Sequence, residues 1–168
     1  KFIIMANNMK YFIGNWKMFG VPKSINILNK INTFVKKDRN SKNFRVIITP
    51  PFTLLEGFCK NFKNKEISIG AQNCFHKDMF SSNTGAISAF MIKNLGSEYV
   101  IIGHSDNRAE GDSDLLIKNK ISFALKNKLK VIFCIGENKN QKANKQTFKV
   151  LKKQISFALE KKFDKNKI

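Results

Sequence analysis

The chain has 168 residues, 42% of them hydrophobic and 11% aromatic, which suits one domain with its own core and excludes a disordered chain. No apolar run reaches the ~18 residues of a membrane span, and the first residues are too poorly patterned for a signal peptide. The net charge of +19 suggests a polyanionic partner. Nearly all of the positive charge comes from scattered lysines, however, whereas nucleic-acid readout favours arginine. We therefore expect neither a nucleic-acid nor a membrane partner.

The first part of the chain predicts three strands and two helices. The short apolar runs at 10–14, 45–49 and 67–71 have the length and β-branched content of buried strands. Pro22 and Ser24 open a helix after the first strand, and a second helix follows the second strand. Their predicted apolar faces are Ile27, Ile31, Phe34 and Val35 for the first helix, and Leu55, Phe58, Cys59 and Phe62 for the second.

The second part repeats this alternation after a long polar loop at 74–87, which is too long for an ordinary connection and so predicts a function. Ser88 caps a short helix that ends at Gly96, and strands are predicted at 99–102 and 130–135. Asp112 or Ser113 caps the helix between those strands, and a last helix follows the fifth strand. The residues predicted to face inward on these two helices are Ile117, Ile121, Ala124 and Leu125, then Phe148, Leu151, Ile155, Ala158 and Leu159.

Five successive strand–helix units with continuously apolar strands predict an α/β fold with a parallel sheet. Polar side chains follow the strands and would meet at one end of such a sheet, where α/β enzymes bind substrates. These side chains are Asn15, Lys17, Gln72, Asn73, His104, Ser105 and Glu137. The loop at 14–20 contains neither the glycine pattern of a dinucleotide site nor a Walker A sequence, which argues against those two nucleotide-binding folds.

Taken singly, two of these residues have simpler interpretations. A lone histidine after a strand, such as His104, more often caps that strand than takes part in catalysis. Lys17 could equally be a solvated surface lysine, like most lysines of this chain. Cys59, Cys74 and Cys134 lie far apart without metal-ligand spacing, and their odd number argues against a disulfide framework. We therefore expect reduced thiols and a cytoplasmic protein.

Five motifs occur in order and together resemble the triosephosphate isomerase family. They are Gly14-Asn-Trp-Lys-Met18, Ala71-Gln-Asn73, Thr84-Gly85, Val100-Ile-Ile-Gly-His-Ser105 with Arg108, and Cys134-Ile-Gly-Glu137. The resemblance runs from about Lys10 to the end of the chain. It implies an α/β fold that forms part of a (βα)8 barrel, namely parallel strands 1–5 with their helices. On this basis residues 1–168 form a single incomplete barrel domain, in which 1–8 are an upstream extension and βα units 6–8 are missing.

The resemblance also implies an activity, the interconversion of dihydroxyacetone phosphate and D-glyceraldehyde 3-phosphate through an enediolate, in glycolysis and gluconeogenesis. In this family a glutamate is the base and a neutral histidine is the electrophile. By similarity His104 is that electrophile, and Lys17 acts in catalysis and, with Asn15, in substrate binding. The base lies beyond the fifth unit in the family, so we expect this chain alone to be inactive. The supporting residues implied are Ser105, Asp106, Cys134 and Glu137.

The resemblance implies a homodimer, no cofactor and no metal, with Thr84 and Gly85 in the loop that reaches the second subunit. Asp106 replaces the family's usual glutamate and is one methylene shorter, which leaves open whether it reaches Lys17. Asn107 and Ala86 replace an arginine and a glutamate that can pair across the dimer interface, so both partners of that pair are absent together. The alternative hypothesis is a non-catalytic, basic α/β binding module that keeps a partial barrel.

Overall fold

The computed structural model describes residues 9–39, 41–63, 65–77 and 79–159, and the extension expected at 1–8 lies outside them. Its strands are β1 (Lys10–Asn15), β2 (Phe44–Thr49), β3 (Ile67–Ala71), β4 (Tyr99–Ile102) and β5 (Lys130–Phe133). Its α-helices are α1 (Ile25–Lys37), α2 (Phe52–Phe62), α3 (Ala89–Asn94), α4 (Ser105–Ala109), α5 (Asp114–Lys126), α6 (Lys139–Ala143) and α7 (Thr147–Ala158). Short 3-10 turns at Pro22–Ser24 and Ser41–Asn43 precede α1 and β2.

The strands form one sheet of five, in the order β1-β2-β3-β4-β5, and every pairing is parallel. Each strand therefore pairs with the next one along the chain, and a helical connection carries the chain back to the start of the next strand. This sequential order confirms the predicted fold class, an α/β half-barrel whose carboxyl strand ends all lie on one side. β1 pairs with β2 over its whole length, from Lys10 opposite Phe44 to Asn15 opposite Thr49.

The core lies between the sheet and its helices. All four residues of β4 are buried, as expected for a short β-branched run that has a strand on each side. The helices add apolar stripes to the same core, and the largest fully buried side chains include Leu28, Leu55, Phe58, Ile92, Ile102, Ile117 and Ile121. The predicted caps of two helices are confirmed, because Ser88 Oγ accepts from Met91 N at 3.2 Å and Ser113 Oγ accepts from Leu116 N at 3.2 Å.

The predicted apolar faces of α1 and α7 were partly wrong. Ile27 and Phe34 are 54% and 70% exposed, and α1 buries the predicted Val35 together with Leu28, which was not predicted. Two overlapping stripes of α1 have helical spacing, and only packing on the sheet selects the one that faces inward.

In α7, too, the face that packs on the core differs from the predicted apolar face. Phe148 and Ile155 are 89% and 41% exposed, whereas Gln154 and Ala158 are buried. A glutamine at a buried helix position contradicts a purely apolar stripe, and its burial depends on hydrogen bonds to Gly136 that the sequence pattern does not reveal.

Some element boundaries also differ from prediction. The fifth strand was expected at 130–135 but ends at Phe133, although Cys134 N still donates to Ile102 O at 2.9 Å. The short helices α4 and α6 were not predicted, since neither is long enough to show a period. Among the described residues, no helix is both long and apolar enough to cross a membrane.

Candidate active site

The site begins where β1 ends. Asn15 is the last residue of β1, and its side-chain Oδ1 accepts a hydrogen bond from Lys17 N at 2.9 Å. Lys17 has a φ of 51°, in the left-handed region that non-glycine residues seldom adopt. Trp16, between them, packs edge-to-face on Phe58 of α2 with ring centroids 5.5 Å apart. The chain thus turns sharply after β1 and directs the Lys17 side chain over the end of the sheet.

His104 reaches the same end of the sheet from β4. Gly103 precedes it with a φ of 80°, and a Cβ at Gly103 would come within 2.8 Å of Cys134 O, so only glycine fits this turn. His104 is the N-cap of α4, and its Nδ1 accepts a hydrogen bond from Asp106 N at 3.2 Å. Because Nδ1 accepts this hydrogen bond, the ring proton is assigned to Nε2. The Nε2–H is therefore the donor available to a ligand.

Asp106 joins Lys17 to His104. Its Oδ2 lies 3.3 Å from Lys17 Nζ and 3.5 Å from His104 Nδ1, so the shorter aspartate does reach the lysine. The hydrogen bond from Lys17 holds the pKa of the Asp106 carboxyl below its ordinary value, with smaller contributions from His104 and Ser105. Ser105 Oγ lies 3.4 Å from Asp106 Oδ1. An ammonium, an imidazole and a carboxylate therefore adjoin one another at the strand ends.

These groups line a cleft of about 500 Å³ at the ends of β1, β3 and β4. Its lining includes Asn15, Lys17, Gln72, Asn73, His104 and Asp106. An ammonium and an imidazole N–H in one open cleft suit an anionic ligand that also has a carbonyl oxygen to be polarised. The residues predicted from separate strand ends are thus brought together, as the parallel topology requires.

A second cleft, of about 560 Å³, lies on the other side of His104 at the edge of β5. Ser105, Cys134 and Glu137 line it, which separates these supporting residues from Lys17. Cys134 is half-buried, and burial raises the pKa of its thiol, so it lacks the thiolate character of a nucleophile. Glu137 accepts from Thr147 Oγ1 at 3.1 Å and so attaches the loop after β5 to α7.

Thr84 and Gly85 do not line either cleft of this chain. Both are exposed near the tip of the long loop, whose Phe80 is 75% exposed and stacks edge-to-face on Phe90 with centroids 5.4 Å apart. Their predicted role concerns a second subunit and stays a prediction. No group of three or more His, Cys, Asp or Glu in the described part of the chain is placed to hold a metal ion.

A buried ion pair that the sequence did not predict lies beneath the first cleft. Lys120 Nζ lies 2.6 Å from Asp112 Oδ2, with only 6% and 12% of the two side chains exposed. Lys120 Nζ also donates to Asn73 Oδ1 at 3.1 Å, and Asn73 Oδ1 accepts from Cys74 N at 2.9 Å, so the pair fixes the start of the long loop. The sequence did contain a signal for the burial of Lys120, because Lys120 shares the buried face of α5 with Ile117, Ile121 and Ala124.

Arg108 was recognised only as part of a motif, and the structure shows its contacts. Its Nε donates to Gly103 O at 2.9 Å and its Nη1 lies 2.9 Å from Asp114 Oδ1. It thereby braces the turn that presents His104. Nothing in the sequence spacing around Arg108 indicated that its side chain would hydrogen-bond to the preceding turn at Gly103.

Comparison with known proteins now identifies the family. A sequence profile described as "Triosephosphate isomerase" matches residues 10–168. The chain belongs to the triosephosphate isomerase family.

Individual relatives give the same result over a partial length. The chain is 40% identical over 146 residues to a triosephosphate isomerase of Aquifex aeolicus (strain VF5), covering 86% of this chain and 58% of that protein. It is 39% identical over 149 residues to one of Alkaliphilus oremlandii (strain OhILAs), covering 88% and 58%. A crystal structure of triosephosphate isomerase from Bartonella henselae superposes with a TM-score of 0.87 at 32% identity, covering 95% of this chain and 65% of that one. The chain thus spans about 58% of the length of these curated relatives.

Proposed function

We propose that this chain is the amino-terminal part of an enzyme that interconverts dihydroxyacetone phosphate and D-glyceraldehyde 3-phosphate in glycolysis and gluconeogenesis, in the cytoplasm. The observation that carries the proposal is the placement of Lys17, Asp106 and His104 around one cleft, with Lys17 Nζ 3.3 Å from Asp106 Oδ2 and His104 Nδ1 occupied by Asp106 N. A proton must leave the carbon next to a carbonyl in this reaction, and the enediolate oxygen must be stabilised as its charge develops.

Each residue has a role in the proposed mechanism. His104 donates its Nε2 proton in a hydrogen bond to the substrate oxygen on which charge develops. Lys17 supplies a fixed positive charge against the phosphate and that oxygen, and Asn15 orients the turn that carries Lys17. Asp106 holds the Lys17 ammonium over the cleft. Ser105, Cys134 and Glu137 support the strand ends, and the glutamate base expected for the family comes from beyond the five units of this chain.

The test joins this chain, after Leu159, to the part of the Bartonella henselae enzyme that it does not match. We expect the chimera to form glyceraldehyde 3-phosphate from dihydroxyacetone phosphate in a coupled assay, and the 168-residue chain alone to form none. His104→Gln should lower turnover by about 10²–10³-fold, since it removes one oxyanion donor with little change in volume. Lys17→Met should lower both substrate binding and turnover.

The control for Lys17→Met is Lys149→Met, which removes an exposed lysine of α7 that lines neither cleft. It should leave turnover unchanged. A folded chimera without turnover would overturn the proposal. An active chimera that tolerates His104→Gln would remove the role assigned to His104.

We also propose that the protein acts as a homodimer in which the loop tip with Thr84 and Gly85 contacts the cleft of the second subunit. The length and polarity of this loop, together with the exposed Phe80, support this arrangement. Sedimentation of the chimera should show a dimer at micromolar concentration, and Thr84→Arg should shift it toward monomer. Because Ala86 and Asn107 replace two charged residues, dimerisation should change little between low and high salt. A monomer at all concentrations tested would contradict the proposal.

A further inference from the structure

The backbone of Lys17 is in an unfavourable conformation that something must maintain. A φ of 51° crowds the Cβ of a non-glycine residue against the backbone, and such residues persist only where their surroundings fix them. The conformation matters because it sets the direction of the Cα–Cβ bond. That direction determines whether Lys17 Nζ can lie 3.3 Å from Asp106 Oδ2.

Gln72 fixes the carbonyl side of Lys17. It follows β3, and its Nε2 donates to Lys17 O at 2.8 Å and to Thr49 O at 2.9 Å. These two contacts use both hydrogens of the amide. The side chain of Gln72 therefore connects the turn after β1 to the end of β2.

The second carbonyl that Gln72 contacts, Thr49 O, is held firmly in place by its surroundings. Thr49 is fully buried, its O also accepts from Trp16 N at 3.1 Å, and its Oγ1 donates to Gly14 O at 3.3 Å. On the amide side of Lys17, the N–H is held by Asn15 Oδ1 at 2.9 Å. Both peptide groups that flank the Lys17 Cα are therefore hydrogen-bonded to side chains, one from β1 and one from the residue after β3.

We propose that Gln72 is a positioning residue for the reaction, which holds Lys17 in its left-handed conformation and thereby directs the Lys17 ammonium to Asp106 and the cleft. This deepens the proposed function and rests on it for the role of Lys17 toward substrate. The simpler alternative is that Gln72 only links strand ends. Gln154 provides the matched case, because its amide clamps Gly136 N and Gly136 O at 2.9 Å each, at the end of β5 and away from Lys17.

The experiment uses NMR on the isotope-labelled chimera and needs no turnover. Gln72→Met keeps the length of the side chain and removes both donated hydrogen bonds. We expect the backbone ¹³C shifts of Lys17 to lose the pattern of positive φ. We also expect the pKa of the Asp106 carboxyl, followed by its ¹³Cγ shift against pH, to rise by at least half of the rise that Lys17→Met causes. Lys17, His104 and Ser105 are the neighbours that act on this carboxyl, so Lys17→Met calibrates the lysine's share.

Controls separate positioning from general support. In the Lys17→Met background, Gln72→Met should add no further rise in the Asp106 pKa. Gln154→Met should shift Gly136 and leave Lys17 and Asp106 unchanged, even where the two glutamine variants lose similar stability in urea. If Gln72→Met does not fold, Gln72→Asn, whose amide is one methylene shorter and cannot reach both carbonyls, must give the same changes.

The proposal is overturned if the folded Gln72 variant keeps the Lys17 shifts and the Asp106 pKa of the unaltered chain. It is also overturned if the Asp106 pKa rises as much with Lys17 already removed, because the effect would then bypass the lysine. Neither result bears on whether the chimera catalyses the reaction, so this inference and the proposed function fail separately.

Discussion

β1 and β4 are both predicted from apolar runs, yet the structure gives them opposite environments. Both are short apolar strands, yet Tyr11, Phe12 and Ile13 of β1 are 55%, 58% and 42% exposed, whereas all of β4 is buried. β4 pairs with a strand on each side, while β1 pairs with β2 alone among the described residues. The difference teaches that a strand's own composition predicts that it can be buried, and its neighbours decide whether it is. The centre of the half-barrel is therefore a closed core, and its edge at β1 is open.

The largest test of this contrast uses two Lys–Asp pairs of opposite burial. Lys120→Met should lower the free energy of unfolding by about 3–5 kcal/mol, because it leaves Asp112 buried without its partner. Lys17→Met should lower the urea midpoint only slightly, since Lys17 and Asp106 are 54% and 56% exposed. Urea unfolding followed by far-UV circular dichroism measures both.

The double variant Lys120→Met/Asp112→Leu serves as the control for the first of these changes. It removes both charges and should recover much of the lost stability. Equal losses of stability from Lys120→Met and Lys17→Met would show that the buried ion pair and the exposed ion pair contribute equally to stability.

A matched pair of isoleucines tests the strands themselves. Ile102→Ala should cost about 2–5 kcal/mol, because Ile102 is fully buried at the end of β4 and its removal leaves a cavity. Ile13→Ala on β1 should cost less than half as much, since Ile13 is 42% exposed. The same urea measurement compares them, and a larger loss at Ile13 would mean that β1 is covered in solution.

The three cysteines report on the same contrast without any substitution. Burial raises the pKa of Cys59 to about 11 and that of Cys74 to about 12, and both lie in the closed centre. Cys134 is half-buried at the β5 edge, and burial raises its thiol pKa as well. A thiol reagent at pH 8 should modify Cys134 first and the other two only as the chain unfolds. Mass spectrometry maps the modified residues, and modification of Cys74 before Cys134 would contradict the burial of Cys74 in the closed centre.

The smallest expected effect is on the pH dependence of stability in the acid range. Lys17 lowers the pKa of Asp106, so the pair stabilises the fold above the ordinary carboxyl pKa, and that contribution is lost as pH falls through the lowered value. Asp106→Asn should therefore bring a slight loss of stability at neutral pH that vanishes in strong acid. The difference between the two urea midpoints, measured from pH 7 down to pH 2, follows it. A difference that grows as the pH falls would have the wrong sign for this pair.

Much of the architecture could be predicted because its signals are local. Continuous β-branched runs predicted β3 and β4 at their observed bounds, and alternating helices predicted the parallel order. Parallel order alone then placed Lys17 and His104 at the same end of the sheet. These features follow from backbone sterics and hydrophobic periodicity, which act over a few residues.

The rest depended on contacts between residues far apart in sequence. The stripe of α1 that faces the core was decided by helix rotation, since Leu28 and Phe34 lie on overlapping stripes and only one could meet the sheet. The burial of Lys120 depended on Asp112 and Asn73, and the turn at Lys17 depended on Gln72, 55 positions further along the chain. Sequence by itself determined the five strands, the longer helices between them and their order, because local energies select them. Only the tertiary structure decided which polar groups could be buried, because a polar group becomes tolerable there only when a distant partner completes its hydrogen bonds.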